Sequence, residues 1–370
     1  MDSQILLFGI HLTYERKLRK MSWTDNIRSC EPYTPGEQPK DKDMVKLNTN
    51  ENPYPPSPKV LEALQSANYN DLRLYPDPTI GSLVKALSDR YGVKESQVFV
   101  GVGSDDVLAM LFMTCFNSEK PILFPDITYS FYDVWAEVLK IPYKKIPLDE
   151  NFHIQPKDYH QENGGVVFPN PNAPTGVLMG LDAVEDIIRA NPDSVVIVDE
   201  AYVDFGGVSA LPLIEKYENL VVVQTFSKSR SMAGLRIGYC FGSEKLIKYL
   251  NDVKYSFNSY TLNRPAIELG CASLADEAYF KECCGKVMAT RVRAEERFKE
   301  LGFTFESSSS NFIFVSHKEK PAKEIFTKLR ERHIYVRWFD KPRIDNYLRV
   351  TIGTDEEMDK LFTALKEIIE

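Results

Sequence analysis

From about residue 79 onward, short apolar runs alternate with stretches whose apolar residues recur at helical spacing. The runs Val98 to Val100, Pro121 to Phe124, Gly165 to Phe168, Val195 to Asp199, Leu220 to Gln224 and Ile237 to Phe241 predict strands. Helical periodicity fills the gaps over Ser104 to Cys115, Tyr129 to Leu139 and Leu181 to Ala190. Apolar strands alternating with helices are what a mostly parallel central sheet, covered by helices on both faces, requires. The predicted fold class is therefore α/β.

After Ser243 the texture changes to long helices, about Leu246 to Val253 and Thr261 to Leu301, followed by short strands Asn311 to Val315 and Tyr347 to Thr351. A smaller α+β domain joined through a long helix is the simplest reading. The chain has 370 residues, more than the roughly 250–300 at which one hydrophobic core stops growing, so a large and a small domain are expected. The predicted divisions are a disordered leader over residues 1–24, a site-lining arm over 25–78 that joins the small domain, a large domain over 79–255, and an interdomain helix with the small domain over 256–370. Within the arm, Asn48 to Pro58 is too rich in Pro and Asn for regular structure. The apolar run Ile5 to Ile10 follows no basic residue and is too short to span a bilayer, and Met21 is an alternative start.

A formal charge of -8 supplies no basic surface for nucleic acid, though a local basic site for a small anion is compatible with it. The six cysteines form no Cys-x-x-Cys pair and the five histidines show no ligand spacing, so neither a disulfide framework nor a zinc site is indicated. Scattered thiols fit a reducing cytoplasm.

The segment Thr225 to Arg236 directly follows an apolar strand. A lysine there, Lys228, beside the hydroxyls of Thr225 and Ser227, is costly to bury unless it is paired or used. Burial beside other cations lowers a lysine's pKa, as Schiff-base chemistry needs. Arg236, with Thr225 and Ser227, suits a bound phosphate; a surface loop with an incidental lysine is the plainer alternative. Val195 to Tyr202 is an apolar strand ending in Asp199 and Glu200, at the edge where open α/β sheets place ligands. An acid there suits a metal, a ribose or a protonated ring nitrogen. No glycine-rich nucleotide loop ending in Gly-Lys-Ser or Gly-Lys-Thr exists in the chain, which removes the nucleotide reading. The turn Phe168 to Gly176 offers Asn172 as a donor to a phenolate oxygen, or is a turn and no more. Gly101 to Asp106 joins a strand to a helix and makes an anion cradle, with Ser104 as its expected cap.

Taken in order from about Lys46, these segments resemble the fold type I pyridoxal-phosphate (PLP) enzymes, in the class II aminotransferase branch. The nearest resemblance is to the histidinol-phosphate aminotransferase family, carried also by Leu47 to Tyr54 and Arg73 to Asp77. That resemblance implies that Lys228 carries the cofactor as a Schiff base and acts as acid and base, while Asp199 pairs with the ring nitrogen. It implies that Tyr202 and Asn172 bond the phenolic oxygen, and that Ser104, Asp105, Thr225, Ser227 and Arg236 surround the phosphate. Tyr129 would stack on the ring, Tyr75 would reach the phosphate of a neighbouring subunit in a homodimer, and Asn52, Arg337 and Arg349 would bind substrate. The family's turn often carries two adjacent asparagines, and here the second is Ala173. The implied reaction exchanges an amino group between L-histidinol phosphate and 2-oxoglutarate. An aromatic amino acid aminotransferase and a decarboxylase acting on phosphothreonine are its rivals. A PLP-fold regulator lacks room for a DNA-binding domain before the first motif.

Overall fold

Past a two-residue strand β1 (Val45–Lys46) in the arm, each of the six apolar runs forms a strand, and one further strand joins them. In chain order they are β2 (Val98–Gly101), β3 (Ile122–Pro125), β4 (Tyr143–Ile146), β5 (Gly165–Pro169), β6 (Val196–Asp199), β7 (Leu220–Thr225) and β8 (Gly238–Gly242). They make one sheet in the order β2-β8-β7-β6-β5-β3-β4. Every pairing from β7 through β4 is parallel, and β8 alone runs against its neighbours. All strands but β4 are buried along their full length, because helices cover both faces. β4 is one of the two edge strands, and its middle residues Lys144 and Lys145 are exposed, which explains why an apolar-run criterion misses it.

The computed structural model describes residues 22–41 and 43–370. Met21 and residues 1–21 of the expected leader lie outside the described residues. The chain divides into residues 1–33 and 34–370. In the first unit a single turn of tight helix, Trp23–Asn26, is capped by Ser22. The second holds all strands among the described residues. The expected long helix over Thr261 to Leu301 is two helices, Arg264–Leu274 and Glu277–Glu300, broken at Ala275 and Asp276. Periodicity alone does not see a break that preserves the apolar face.

Beyond Glu300 come β9 (Phe303–Thr304), β10 (Phe312–His317), β11 (Ile334–Tyr335), β12 (Arg337–Trp338) and β13 (Leu348–Thr351). Strands β12-β13-β10-β9 form an antiparallel sheet, and β11 pairs with β1 of the arm. Helices Ala322–Glu331 and Asp355–Ile369 cover this second sheet around a core that includes Ile313, Leu329, Ile352 and Leu361. Among the described residues no helix is long and apolar enough to cross a membrane.

Gly238, where β8 begins, sits against the start of helix Gly103–Cys115. A Cβ there would lie 2.2 Å from the Gly103 carbonyl carbon and from the Ser104 nitrogen, backbone atoms that cannot step aside. Gly238→Ala is expected to destabilise the protein by about 3 kcal/mol, as overpacking against fixed atoms does. Gly242→Ala, whose nearest contact would be 3.3 Å, is expected to cost far less. Urea unfolding midpoints of the two variants compare them, and equal midpoints would contradict this packing account.

Candidate active site

Sheet register decides which loops meet. Pro169 pairs with Asp199 and Asp199 with Val223, so β5, β6 and β7 end at one edge of the sheet. Gly238 pairs with both Thr225 and Gly101, so the end of β2 and the start of antiparallel β8 lie at that same edge. The residues just beyond these positions wall one cavity of about 170 Å³. Ser104 and Asp105 come from β2, Asp199 and Tyr202 from β6, Ser227 and Lys228 from β7, and Arg236 from the residues before β8. Tyr129 enters from the turn after β3. Ligand loops gathered at the carboxyl ends of parallel strands are the general rule for such sheets.

Asp199 is 4% exposed. Burial pushes its carboxyl up to about 6, against the pull of the Tyr132 hydroxyl and the Ala201 N–H, with Asp105 pushing up and Lys228 pulling down. Tyr132 donates to Oδ2 at 2.9 Å and Ala201 N to Oδ1 at 3.2 Å. Lys228 Nζ lies 3.4 Å from the Thr49 carbonyl and 5.7 Å from the Tyr202 ring centre. Its backbone is clamped by Asn52, whose amide donates to the carbonyls of Lys228 at 3.1 Å and Ser229 at 3.4 Å.

At the other end of the cavity, Arg236 lies on bare backbone. A Cβ on Gly103, whose φ is +82°, would stand 2.3 Å from the guanidinium. The guanidinium donates to Ser227 Oγ at 3.4 Å and Asp105 Oδ2 at 3.2 Å, and Tyr129 donates to Asp105 Oδ1 at 2.7 Å. Ser104 is not the helix cap. The helix begins one residue earlier, at Gly103, with Val102 in the cap position; valine has no oxygen to cap with, and Asp106 reaches back to accept the Val102 N–H. Tyr129 likewise precedes its helix, which starts at Tyr132. A guanidinium and two serine hydroxyls at an uncapped first turn suit a phosphate. A buried carboxylate suits a protonated ring nitrogen, and an amine facing the same volume suits an aldehyde. The residues present therefore fit pyridoxal phosphate.

Six of the predicted residues stand outside the cavity wall. Thr225 donates to the Ile237 carbonyl and accepts from Ser227 N, which shapes the strand end. Asn172 donates to Ile127 O and Thr175 Oγ1 and accepts from Thr128, so its amide is spent inside the turn while Ala173 faces the cavity. Asn52 clamps the lysine backbone as described. Tyr75 is 79% exposed and packs on Tyr260 at 4.7 Å. Arg349 donates to the Asn48 carbonyl at 2.9 Å, and Arg337 to Thr34 O at 3.4 Å. Sequence reasoning missed Thr49 and Glu51 in the wall, and Tyr132 and Asn50 behind it. Tyr132 hides among buried aromatics, and only its spacing of three from Tyr129 hints at a shared face.

An acid whose folded pKa is raised contributes stability that is complete below its unfolded value, near 4, and lost as the pH climbs through the folded value. For Asp199 that window runs from about 4 to about 6. Asp199→Asn is therefore expected to raise the stability of the cofactor-free protein at pH 8 by on the order of 2 kcal/mol. The gain should fade toward pH 4. Thermal melts across that range test it, and a gain independent of pH would refute the assignment of strain to this carboxylate.

Comparison with known proteins agrees with this geometry. The family model for aminotransferase class I and II matches residues 42–365. Histidinol-phosphate aminotransferase 1 of Hydrogenovibrio crunogenus is 52% identical over 348 residues, covering 94% of this chain and 98% of the relative. Histidinol-phosphate aminotransferase 2 of Dechloromonas aromatica is 53% identical over 350 residues, covering 94% and 98%. Among solved structures, histidinol-phosphate aminotransferase of Sinorhizobium meliloti in complex with pyridoxal-5'-phosphate superposes with a TM-score of 0.80 at 25% identity, over 87% of this chain and 90% of that one. Matched over most of its length by this family model and by relatives of 52–53% identity, this chain belongs to the class I and II aminotransferase family.

Proposed function

We propose that the chain exchanges the amino group between L-histidinol phosphate and 2-oxoglutarate, in histidine biosynthesis, with pyridoxal phosphate carried on Lys228. L-glutamate is the amino donor in the physiological direction. The observation that carries this reading is the 52–53% identity, over nearly the full length, to relatives named for that activity. A cavity walled by an amine, a buried carboxylate and a guanidinium supports it chemically.

When bound, pyridoxal phosphate supplies an aldehyde that takes up the amino group and a ring that draws electrons from the substrate's α-carbon. In this reading Ser104, Ser227 and Arg236 hold the phosphate at the helix start. Thr225 sets the strand end that presents Ser227, and Asp105 aligns Arg236 and Tyr129 by accepting a bond from each. The Tyr129 ring covers one face of the cofactor, Asp199 keeps a proton on the ring nitrogen, and Tyr202 donates to the phenolic oxygen. Asn172 holds the turn that brings Ala173 to the same place. Lys228 Nζ would hold the cofactor and would also take up the proton lost from the substrate's α-carbon, so one amine serves as both anchor and acid-base group. Asn52 keeps that lysine aimed.

Substrate's anionic end meets Arg349 and Arg337. These residues lie directly opposite each other in the β12–β13 register, and both guanidiniums stand over Phe339. Like charges directly opposite in a sheet repel, a cost that a bound anion offsets. The protein works as a homodimer with shared active sites: Tyr75, exposed and not part of its own cavity wall, reaches the partner's cofactor phosphate. Leu72, Leu74, Phe257 and Tyr260 add exposed apolar surface for the contact. The large domain spans 79–255 and the small domain 256–370. The six free cysteines suit a cytoplasmic location, and neither nucleic acid nor membrane is a partner.

Lys228→Ala is expected to abolish turnover and the adduct fixed by borohydride, which peptide mapping of the wild type should place on residue 228. Retained turnover would reject the proposed role. In a substrate panel, kcat/KM for histidinol phosphate should exceed that for phenylalanine by at least roughly 100-fold, about 3 kcal/mol of transition-state discrimination. No carbon dioxide should be released from phosphothreonine; release would point to the decarboxylase.

A further inference from the structure

We infer that Asn50 is a positioning residue of the active centre, which donates to the Tyr202 oxygen and so directs the phenol's own proton into the cavity. The inference rests on the reading of Tyr202 as the donor to the cofactor's phenolic oxygen. Asn50 is 1% exposed. Its backbone is left-handed, with φ of 57°, a conformation asparagine tolerates better than most residues. All its polar groups are committed. Its N–H donates to Thr351 Oγ1 at 3.0 Å, its carbonyl accepts from Asn311 Nδ2 at 2.9 Å, and its Oδ1 accepts from the Thr351 hydroxyl at 3.2 Å. That last bond fixes which way the amide faces: Oδ1 toward β13, Nδ2 toward Tyr202, whose oxygen it meets at 2.8 Å.

A phenol oxygen that accepts an N–H still has one proton to donate. Among the described residues the Tyr202 oxygen has no other hydrogen-bond partner, and its side chain lines the cavity. Its ring is held edge-on by Phe312, with centroids 5.0 Å apart at 90°. The donor's direction matters more in this chain than its neighbours alone would imply, since Ala173 brings no polar side chain to the cavity and the Asn172 amide is used within its turn. Orientation of the one remaining hydroxyl then falls to Asn50, which is itself set by β13 of the second sheet.

Asn50→Asp separates this role from a merely structural one. Aspartate keeps the acceptor for Thr351 and tolerates the left-handed backbone, yet it presents an acceptor where the N–H donor stood. Tyr202 would then donate to residue 50 and turn its proton away from the cavity. We expect Asn50→Asp and Tyr202→Phe to behave alike. In both, kcat should fall roughly tenfold, as loss of one hydrogen bond to a charged group would give, with KM for the amino donor changed less than about threefold. In both, the pH midpoint of the lysine-bound cofactor's visible absorption band should move up by about one unit, because a phenolic oxygen without its donor is more basic. The cofactor-free forms should also rebind pyridoxal phosphate several-fold more weakly. The double variant should be no worse than Tyr202→Phe alone. Thr351→Val, which frees the Asn50 amide without touching it, should shift the band in the same direction by less, and it serves if Asn50→Asp does not fold. An unshifted band in Asn50→Asp, or losses that add in the double variant, would overturn the inference. A Tyr202→Phe protein with wild-type spectrum and rate would instead overturn the assigned role of Tyr202 itself.

Discussion

The structure is organised around one electrostatic demand: a buried carboxylate and a half-buried amine must face the same small volume and yet not spend themselves on each other. Asp199 is held by the Tyr132 hydroxyl and the Ala201 N–H, Lys228 by the Thr49 carbonyl. Asp199 thus has just enough support to be buried, and both groups keep capacity for a ligand. Rigid placement comes from adjacent strands of a parallel sheet, whose shared register fixes the distance between their ends. The burden shows in the carboxyls: burial raises Asp199 to about 6 and the neighbouring Glu200 to about 7. A site that keeps such groups ready for chemistry stores instability that a more inert sequence would avoid.

Much of this was readable in the sequence, and for a physical reason. Buried strands are apolar along their length, so six of the seven strands of the main sheet announce themselves, while β4 at the edge, with Lys144 and Lys145 exposed, does not. Residues at strand ends can be brought together from the sequence because the parallel pattern itself dictates a common edge; Ser104, Asp105, Asp199, Tyr202, Ser227, Lys228 and Arg236 meet at one cavity. Hydrogen-bond partners were not readable. Asn172 and Asn52 are polar residues in suggestive motifs, yet the first turns its amide onto Ile127 and Thr175 and the second onto the lysine backbone. Which way an amide points depends on atoms far along the chain, and no periodicity encodes that. Tyr132 shows the converse: fully buried and surrounded by Phe112, Phe124 and Trp135, it has the sequence signature of core and the hydrogen bond of a functional residue.

The proline- and asparagine-rich arm poses a different problem, because a segment without a backbone ladder must be ordered some other way. Here alternate asparagines do it. The Asn48 carbonyl accepts from Arg349 on β13 while its amide donates to Glu37; Asn50 ties Thr351 and Asn311 to Tyr202; Asn52 grips the backbone on both sides of the Lys228–Ser229 bond. Residues two apart in an extended chain face the same side, but the left-handed backbone of Asn50, with φ of 57°, breaks that alternation, and five consecutive positions stitch the second sheet to the lysine loop of the first. The same segment supplies the Thr49 carbonyl that meets the lysine amine and the Glu51 carboxylate in the cavity wall. Thr351 of β13 is thereby linked through the Asn50 amide to the Tyr202 oxygen. Arg349 stands on the same strand as Thr351, so in the proposed reading, where Arg349 would meet the substrate's anionic end, the strand that meets that charge would also be the strand that orients Asn50 toward Tyr202.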